Sequence, residues 1–153
     1  MRTILLSMIC ASTLSLSASV DVSLTFDDPV VRSLFADLLR LGGYGYVNTE
    51  RAAFLIREAN GDYRCALWTM TGRWKRERFS GVVPAGTVAV VHTHPNRTPL
   101  GSPSDRRTSL VLKVPVFILT RENVYVITGD GANVALVQAR VWATALSGED
   151  RCR

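Results

Sequence analysis

The stretch HTHPNRTPLGSPSD (residues 92–105) contains both histidines of this chain, one residue apart. It follows TVAVV (87–91), whose nearly continuous β-branched character predicts a buried central strand. Residues i and i+2 of a strand point to the same face, so His92 and His94 should leave the strand end side by side. Pro95 then ends the strand and turns the chain.

The same stretch also predicts the start of a helix, on the evidence of three of its later residues. Ser102 is separated from His94 by seven residues, Pro103 fits a first helical turn, and Asp105 completes an S-x-x-D pattern close to a capping box. A helix that starts opposite the strand end can bring Asp105 towards the two imidazoles. Two histidines and a carboxylate, with a fourth position open, form the ligand set of catalytic rather than structural zinc.

The remaining pattern predicts one α+β domain with a mixed β-sheet flanked by at least two helices. DDPVVRSLFADLLRLGG (27–43) is the clearest helix, with Asp28 as its N-cap. Asn60-Gly61 predicts a hairpin turn between two strands. The predicted strands are ERAAFLIRE (50–58), DYRCALWTM (62–70), RWKRERF (73–79), TVAVVHTH (87–94), VFILT (116–120), VYVIT (124–128) and NVALVQA (133–139), and the further helices are SPSDRRTSLVLKV (102–114) and ARVWATAL (139–146).

The first residues have the pattern of a secretory signal. Residues 1–19 combine one early arginine with an apolar run and small residues near the end, which predicts a cleaved signal peptide ahead of a domain over residues 20–153. A buried N-terminal element and an uncleaved anchor are the alternatives. The expected location is secreted or periplasmic, without stable membrane insertion after cleavage.

Charge and cysteines limit the partners. Loss of Arg2 with the signal leaves 17 basic and 13 acidic residues, a net charge of about +4 that suits anionic surfaces or a solvated basic face. No nucleic-acid motif accompanies this charge, so no nucleic-acid partner is expected. Cys65 and Cys152 could pair in an oxidising compartment, but the sequence does not establish the required distance.

The combined pattern H-x-H-x7-S-x2-D, with Thr93 between the histidines and Pro95 after them, resembles the motif of the JAMM (MPN+, JAB-like) metalloproteases. The resemblance in element order covers about residues 28–128, and it is specific in the central motif and weak elsewhere. It implies a cytidine-deaminase-like α+β domain. It also implies one Zn²⁺ per chain held by His92, His94 and Asp105, with Ser102 donating a hydrogen bond to the developing oxyanion.

The family also has a glutamate upstream that acts as general base, and three glutamates precede the motif. Glu50 opens a strand directly after the first helix and its glycines, as the family pattern requires. Glu58 adjoins the hairpin turn and should be solvated, and Glu77 lies among basic residues. Glu50 is therefore the predicted base, although Arg51 and Ala52 depart from the small or glycine-rich continuation common in the family.

The predicted function is hydrolysis of a peptide or isopeptide bond by a secreted zinc metallopeptidase. The alternative is a JAB-like scaffold that holds zinc without turnover. Zinc deaminases require H-x-E and P-C-x-x-C, which are absent, and two-metal phosphoesterases need more histidine ligands than the chain has. The expected partner is a peptide or protein substrate, with cell-envelope peptides among the candidates. The sequence leaves the oligomeric state open.

Overall fold

The computed structural model describes residues 28–69, 79–95, 101–132 and 134–139. Within these ranges the chain forms two α-helices, one short 3₁₀ turn at Gly43–Gly45 and six strands. The helices are α1 (Pro29–Leu41) and α2 (Pro103–Leu112), and the strands are β1 (Ala52–Arg57), β2 (Tyr63–Leu67), β3 (Thr87–Thr93), β4 (Val116–Leu119), β5 (Asn123–Ile127) and β6 (Val134–Ala139).

The six strands form one mixed sheet in the order β2-β1-β3-β4-β5-β6. Strands β3 and β4 are parallel and all other neighbours are antiparallel. The parallel pair requires a crossover, and α2 provides it. The predicted α+β class and the central position of β3 are confirmed.

Helix α1 covers one face of the sheet. Asp28 caps it by accepting a hydrogen bond from the Val30 N–H at 2.7 Å, Pro29 occupies the first turn, and Gly42 follows the last turn. The apolar stripe of the helix packs on side chains of the four central strands and β2, which include Leu55, Val91 and Phe117. The apolar cluster on this face is the larger of the two hydrophobic clusters among the described residues.

The opposite face carries α2 and a second apolar cluster. Side chains of β1, β3, β4 and β5 form this cluster, with Leu112 of α2 packed against them. Ser109 attaches α2 to the segments on either side of β4 and β5, since its buried hydroxyl lies 2.8 Å from the Val114 carbonyl oxygen and 2.6 Å from that of Thr128. Helix α2 ends at Lys113 in the left-handed conformation (φ 55°), where the sequence has no glycine to indicate it.

Most predicted elements are confirmed with boundaries shifted by one to three residues, and the hairpin turn places Gly61 at φ +92°. The predicted signal peptide lies outside the described residues. So do RWKRERF (73–79), apart from Phe79, and the closing helix, apart from its first residue in β6.

Cys65 is disulfide-bonded, and its partner lies outside the described residues. None of the described helices has the length and apolar character needed to cross a membrane.

Candidate metal centre

The two histidines lie at the end of the central strand. His92 is the penultimate residue of β3 and His94 follows the last, and both are buried. Their ring centroids are 4.7 Å apart and the ring planes are nearly perpendicular, at 89°. Thr93, between them, alternates to the opposite face, where it lies against Gly42 after α1. Both imidazoles therefore occupy the sheet face that α2 covers.

Helix α2 brings the carboxylate to the same place. Ser102 is its N-cap, and the capping box is complete. The Asp105 N–H donates to Ser102 Oγ at 3.2 Å, and the Ser102 N–H donates to Asp105 Oδ2 at 2.7 Å. Asp105 Oδ1 is 3.7 Å from His92 Nε2, and Asp105 Oδ2 is 3.7 Å from His94 Nε2. The cap thus fixes the carboxylate opposite both imidazoles.

These three side chains fit a metal ion. One ligand atom from each of His92, His94 and Asp105 lies within 4.8 Å of the other two. His92 Nε2 is buried and has no hydrogen-bond partner among the described residues, which costs free energy unless something binds there. An imidazole nitrogen without a hydrogen-bond partner, beside a carboxylate, is an arrangement that suits a cation. Two imidazoles and one carboxylate suit zinc.

The electrostatics of the group favour the protonation states that a metal requires. Burial, together with the neighbouring His94, lowers the pKa of His92 from 6.5 to about 4, although Asp105 opposes the shift. Burial would raise the pKa of Asp105, but hydrogen bonds from His94 and Ser102 and the nearby His92 outweigh it, so this pKa falls below its usual range. Near neutral pH His92 is therefore neutral and Asp105 ionised, as metal ligands must be.

The register of β1 with β3 bears on the predicted base Glu50. Ala52 lies opposite His92 in the antiparallel β1–β3 pair. Glu50 lies two residues before Ala52 and outside β1, so a continuation of this register would bring it opposite His94. Arg51, between them, points to the α1 side, where its Nε donates to the Leu41 carbonyl at 3.1 Å. Glu50 is half-buried, and alternation continued through Arg51 would direct its side chain to the same face as the two imidazoles.

The other predicted residues lie as follows. Glu58 is exposed at the opposite end of β1 and pairs with Arg64, so it is far along the strand from the histidines. Glu77 lies outside the described residues. Ser102 is exposed at the start of α2, and its oxygen accepts from the Asp105 N–H.

The contact of Thr93 with Arg51 and Gly42, beside the site, was not predicted from the sequence. The alternation of side chains along β3 indicates that Thr93 points away from the histidines, because a residue between two residues on one face must point to the other face.

A scan against protein-family models finds no match, and a search of curated proteins finds none either. His92, His94 and Asp105 form a candidate metal-binding group in an α+β domain.

Proposed function

We propose that this protein is a secreted zinc-dependent metallopeptidase of the JAMM type, which hydrolyses a peptide or isopeptide bond. The observation that supports this most is the convergence of His92, His94 and Asp105 at one end of β3. Glu50 lies two residues before Ala52, the partner of His92, so a continued register would bring it beside His94. The resemblance of the H-x-H-x7-S-x2-D pattern to the JAMM motif adds to it.

His92, His94 and Asp105 would hold one zinc ion and leave a fourth position open. Bound zinc supplies two effects in such a site: it lowers the pKa of a coordinated water to about 7 and it polarises a substrate carbonyl. The protein's part is to keep the His92 imidazole neutral and the Asp105 carboxylate ionised. Burial of His92 and the capping box around Asp105 do this.

Glu50 is the proposed general base. Its carboxylate would orient the attacking water, accept its proton and deliver that proton to the leaving amine, as a carboxylate within hydrogen-bond reach can do. Ser102 is the proposed oxyanion donor. Its oxygen already accepts from the Asp105 N–H, so its hydroxyl hydrogen is available for the substrate oxygen. One such donor contributes about 10²–10³ in rate.

The proposal is tested with Glu50→Gln, which removes the base but keeps the shape of the side chain. We expect this variant to bind one zinc per chain and to lose turnover of a peptide library, because only the proton acceptor is changed. Glu58→Gln is the matched control, since Glu58 is exposed at the other end of the same strand. It should keep both zinc and turnover.

Zinc content by mass spectrometry and product analysis by chromatography measure the two quantities. A purified mature protein that binds no divalent metal contradicts the whole proposal. Full activity in Glu50→Gln contradicts the choice of base. A zinc-loaded wild type that cleaves no amide substrate, with Glu50→Gln indistinguishable from it, favours the scaffold alternative.

The substrate is a peptide or protein outside the cytoplasm, with cell-envelope peptides as the first candidates. The predicted signal peptide over residues 1–19 and the mature charge of about +4 support this. Comparing the products that wild type and His94→Ala release from cell-wall and protein substrates tests it.

A further inference from the structure

Thr93, between the two candidate ligands on β3, makes an irregular contact with the chain ahead of β1. Its backbone N–H donates to the Arg51 carbonyl oxygen at 2.8 Å, as in a normal antiparallel ladder. The Arg51 N–H, however, donates to the Thr93 side-chain oxygen Oγ1 at 2.9 Å. Thr93 is 1% exposed. One of the two hydrogen bonds in the rung next to Glu50 is therefore made by a hydroxyl group and depends on that side chain.

This hydroxyl is enclosed by the end of α1. A Cβ atom built on Gly42 would lie 2.7 Å from Thr93 Oγ1 and 3.2 Å from Thr93 Cβ, so only glycine fits there without a shift. The Arg51 side chain donates from Nε to the Leu41 carbonyl at 3.1 Å. Arg51 is thus attached to the strand through its backbone and to the helix end through its side chain.

Arg51 is flanked by Glu50 and Ala52, which strand alternation would direct to the face that carries the histidines. Ala52 is held by the regular ladder opposite His92. Glu50 lies two residues before the start of β1 and next to the Arg51–Thr93 rung, so this rung contributes to fixing the position of Glu50 along the strand relative to His94.

We infer that Thr93 is a positioning residue: its hydroxyl, through the Arg51 N–H, holds Glu50 in register with His94. The inference rests on the proposed function, in which Glu50 is the base. It gives the threonine between the histidines a task separate from metal binding, because the threonine points away from the metal group.

The test compares Thr93→Val, which keeps the shape but lacks the hydroxyl, with Thr93→Ser, which keeps the hydroxyl. Thr87→Val is the matched control. Thr87 lies at the other end of β3, and its hydroxyl donates to the Pro84 carbonyl at 2.7 Å. All three are measured for zinc affinity against a chelator, for kcat and KM on a cleaved peptide, and for amide hydrogen exchange.

We expect Thr93→Val to bind zinc within about threefold of wild type. Its kcat should fall about 10- to 100-fold with KM nearly unchanged, because a displacement of about 1 Å can cost about 10²-fold in rate. Thr93→Ser should recover most of the kcat, and Thr87→Val should not lower it. The amides of the segment around Arg51 should exchange slowly in wild type and Thr93→Ser, and fast in Thr93→Val.

Equal kcat in Thr93→Val and wild type overturns the inference. So does a failure of Thr93→Ser to recover activity, or a parallel loss in Thr87→Val. A wild type without any turnover overturns the proposed function instead. The exchange measurement then still decides on the Thr93 contact, which is refuted if the Arg51 segment exchanges equally in Thr93→Val and wild type.

Discussion

Within the part of the chain that the structure describes, the buried imidazole of His92 has no hydrogen-bond partner for its Nε2 atom, and this has a cost in the metal-free protein. The folded state holds the imidazole neutral, since burial lowers its pKa from 6.5 to about 4. The unfolded chain accepts a proton near pH 6.5. Between these values the unfolded state binds more protons than the folded state, so acid favours unfolding.

We therefore expect the free energy of unfolding of the metal-free protein to fall as the pH drops from about 6.5 to about 4. The slope from this single group reaches about 1.4 kcal/mol per pH unit. Above pH 6.5 His92 is neutral in both states and contributes no slope. Urea unfolding in the presence of a chelator, repeated across this pH range, measures the effect.

The control for this prediction is His92→Gln, which removes the titrating group and keeps a polar side chain. Its unfolding free energy should vary less between pH 6.5 and 4 than that of wild type. If both proteins show the same slope, His92 is not held neutral by the fold. Asp105 adds a loss of the same sign at lower pH, because its pKa in the folded state is below its usual range.

Asp105 has two connected tasks in the first turn of α2, as the N3 residue of the capping box with Ser102 and as a candidate ligand. The carboxylate accepts from the Ser102 N–H and faces both imidazoles at 3.7 Å. The capping contact needs only an acceptor oxygen, whereas the metal contact needs a negative charge. The two tasks can therefore be separated by choosing the replacement.

Asp105→Asn and Asp105→Ala should both abolish stoichiometric zinc binding, but only the alanine variant should lose the cap. We expect metal-free Asp105→Ala to be less stable than metal-free Asp105→Asn by about 1 kcal/mol. Denaturant unfolding with chelator present measures this difference. Equal stability of the two variants would show that the cap contributes nothing, and retained zinc in Asp105→Asn would remove Asp105 from the ligand set.

The helices and the hairpin could be predicted from the sequence because capping and turn residues mark their ends. Asp28 and Pro29 start α1, Ser102 starts α2, and Asn60-Gly61 turns the first hairpin. The pairing of the two histidines on one face followed from the strand period alone. Their meeting with Asp105 also followed, because a helix that directly follows a strand starts near the strand's end.

Other features depended on contacts between distant segments. The parallel pairing of β3 with β4 and the edge positions of β2 and β6 are set by how the apolar faces pack, which propensity does not encode. The left-handed end of α2 at Lys113 has no local marker. The Arg51–Thr93 hydrogen bond joins residues 42 positions apart and replaces a ladder bond that periodicity would predict.

At the scale of the whole molecule, the candidate site lies where the central strand β3 meets the crossover helix α2. The histidines lie at the end of the central strand, and Asp105 lies in the first turn of the helix that crosses over from β3 to β4. An ion bound by all three would connect this crossover helix to the sheet. Since the three ligands come together only in the folded state, metal binding should stabilise folding by mass action.

We expect zinc at about 1,000 times its dissociation constant to raise the free energy of unfolding by about 4 kcal/mol. For a chain of this size the melting temperature should rise by roughly 10 °C and return to its starting value on addition of a chelator. Calorimetry on the mature protein measures the shift. His94→Ala should show no shift with zinc, and magnesium should shift neither protein, because magnesium prefers oxygen ligands in octahedral geometry. An unchanged melting temperature of wild type in saturating zinc would mean that these three side chains do not form a metal site.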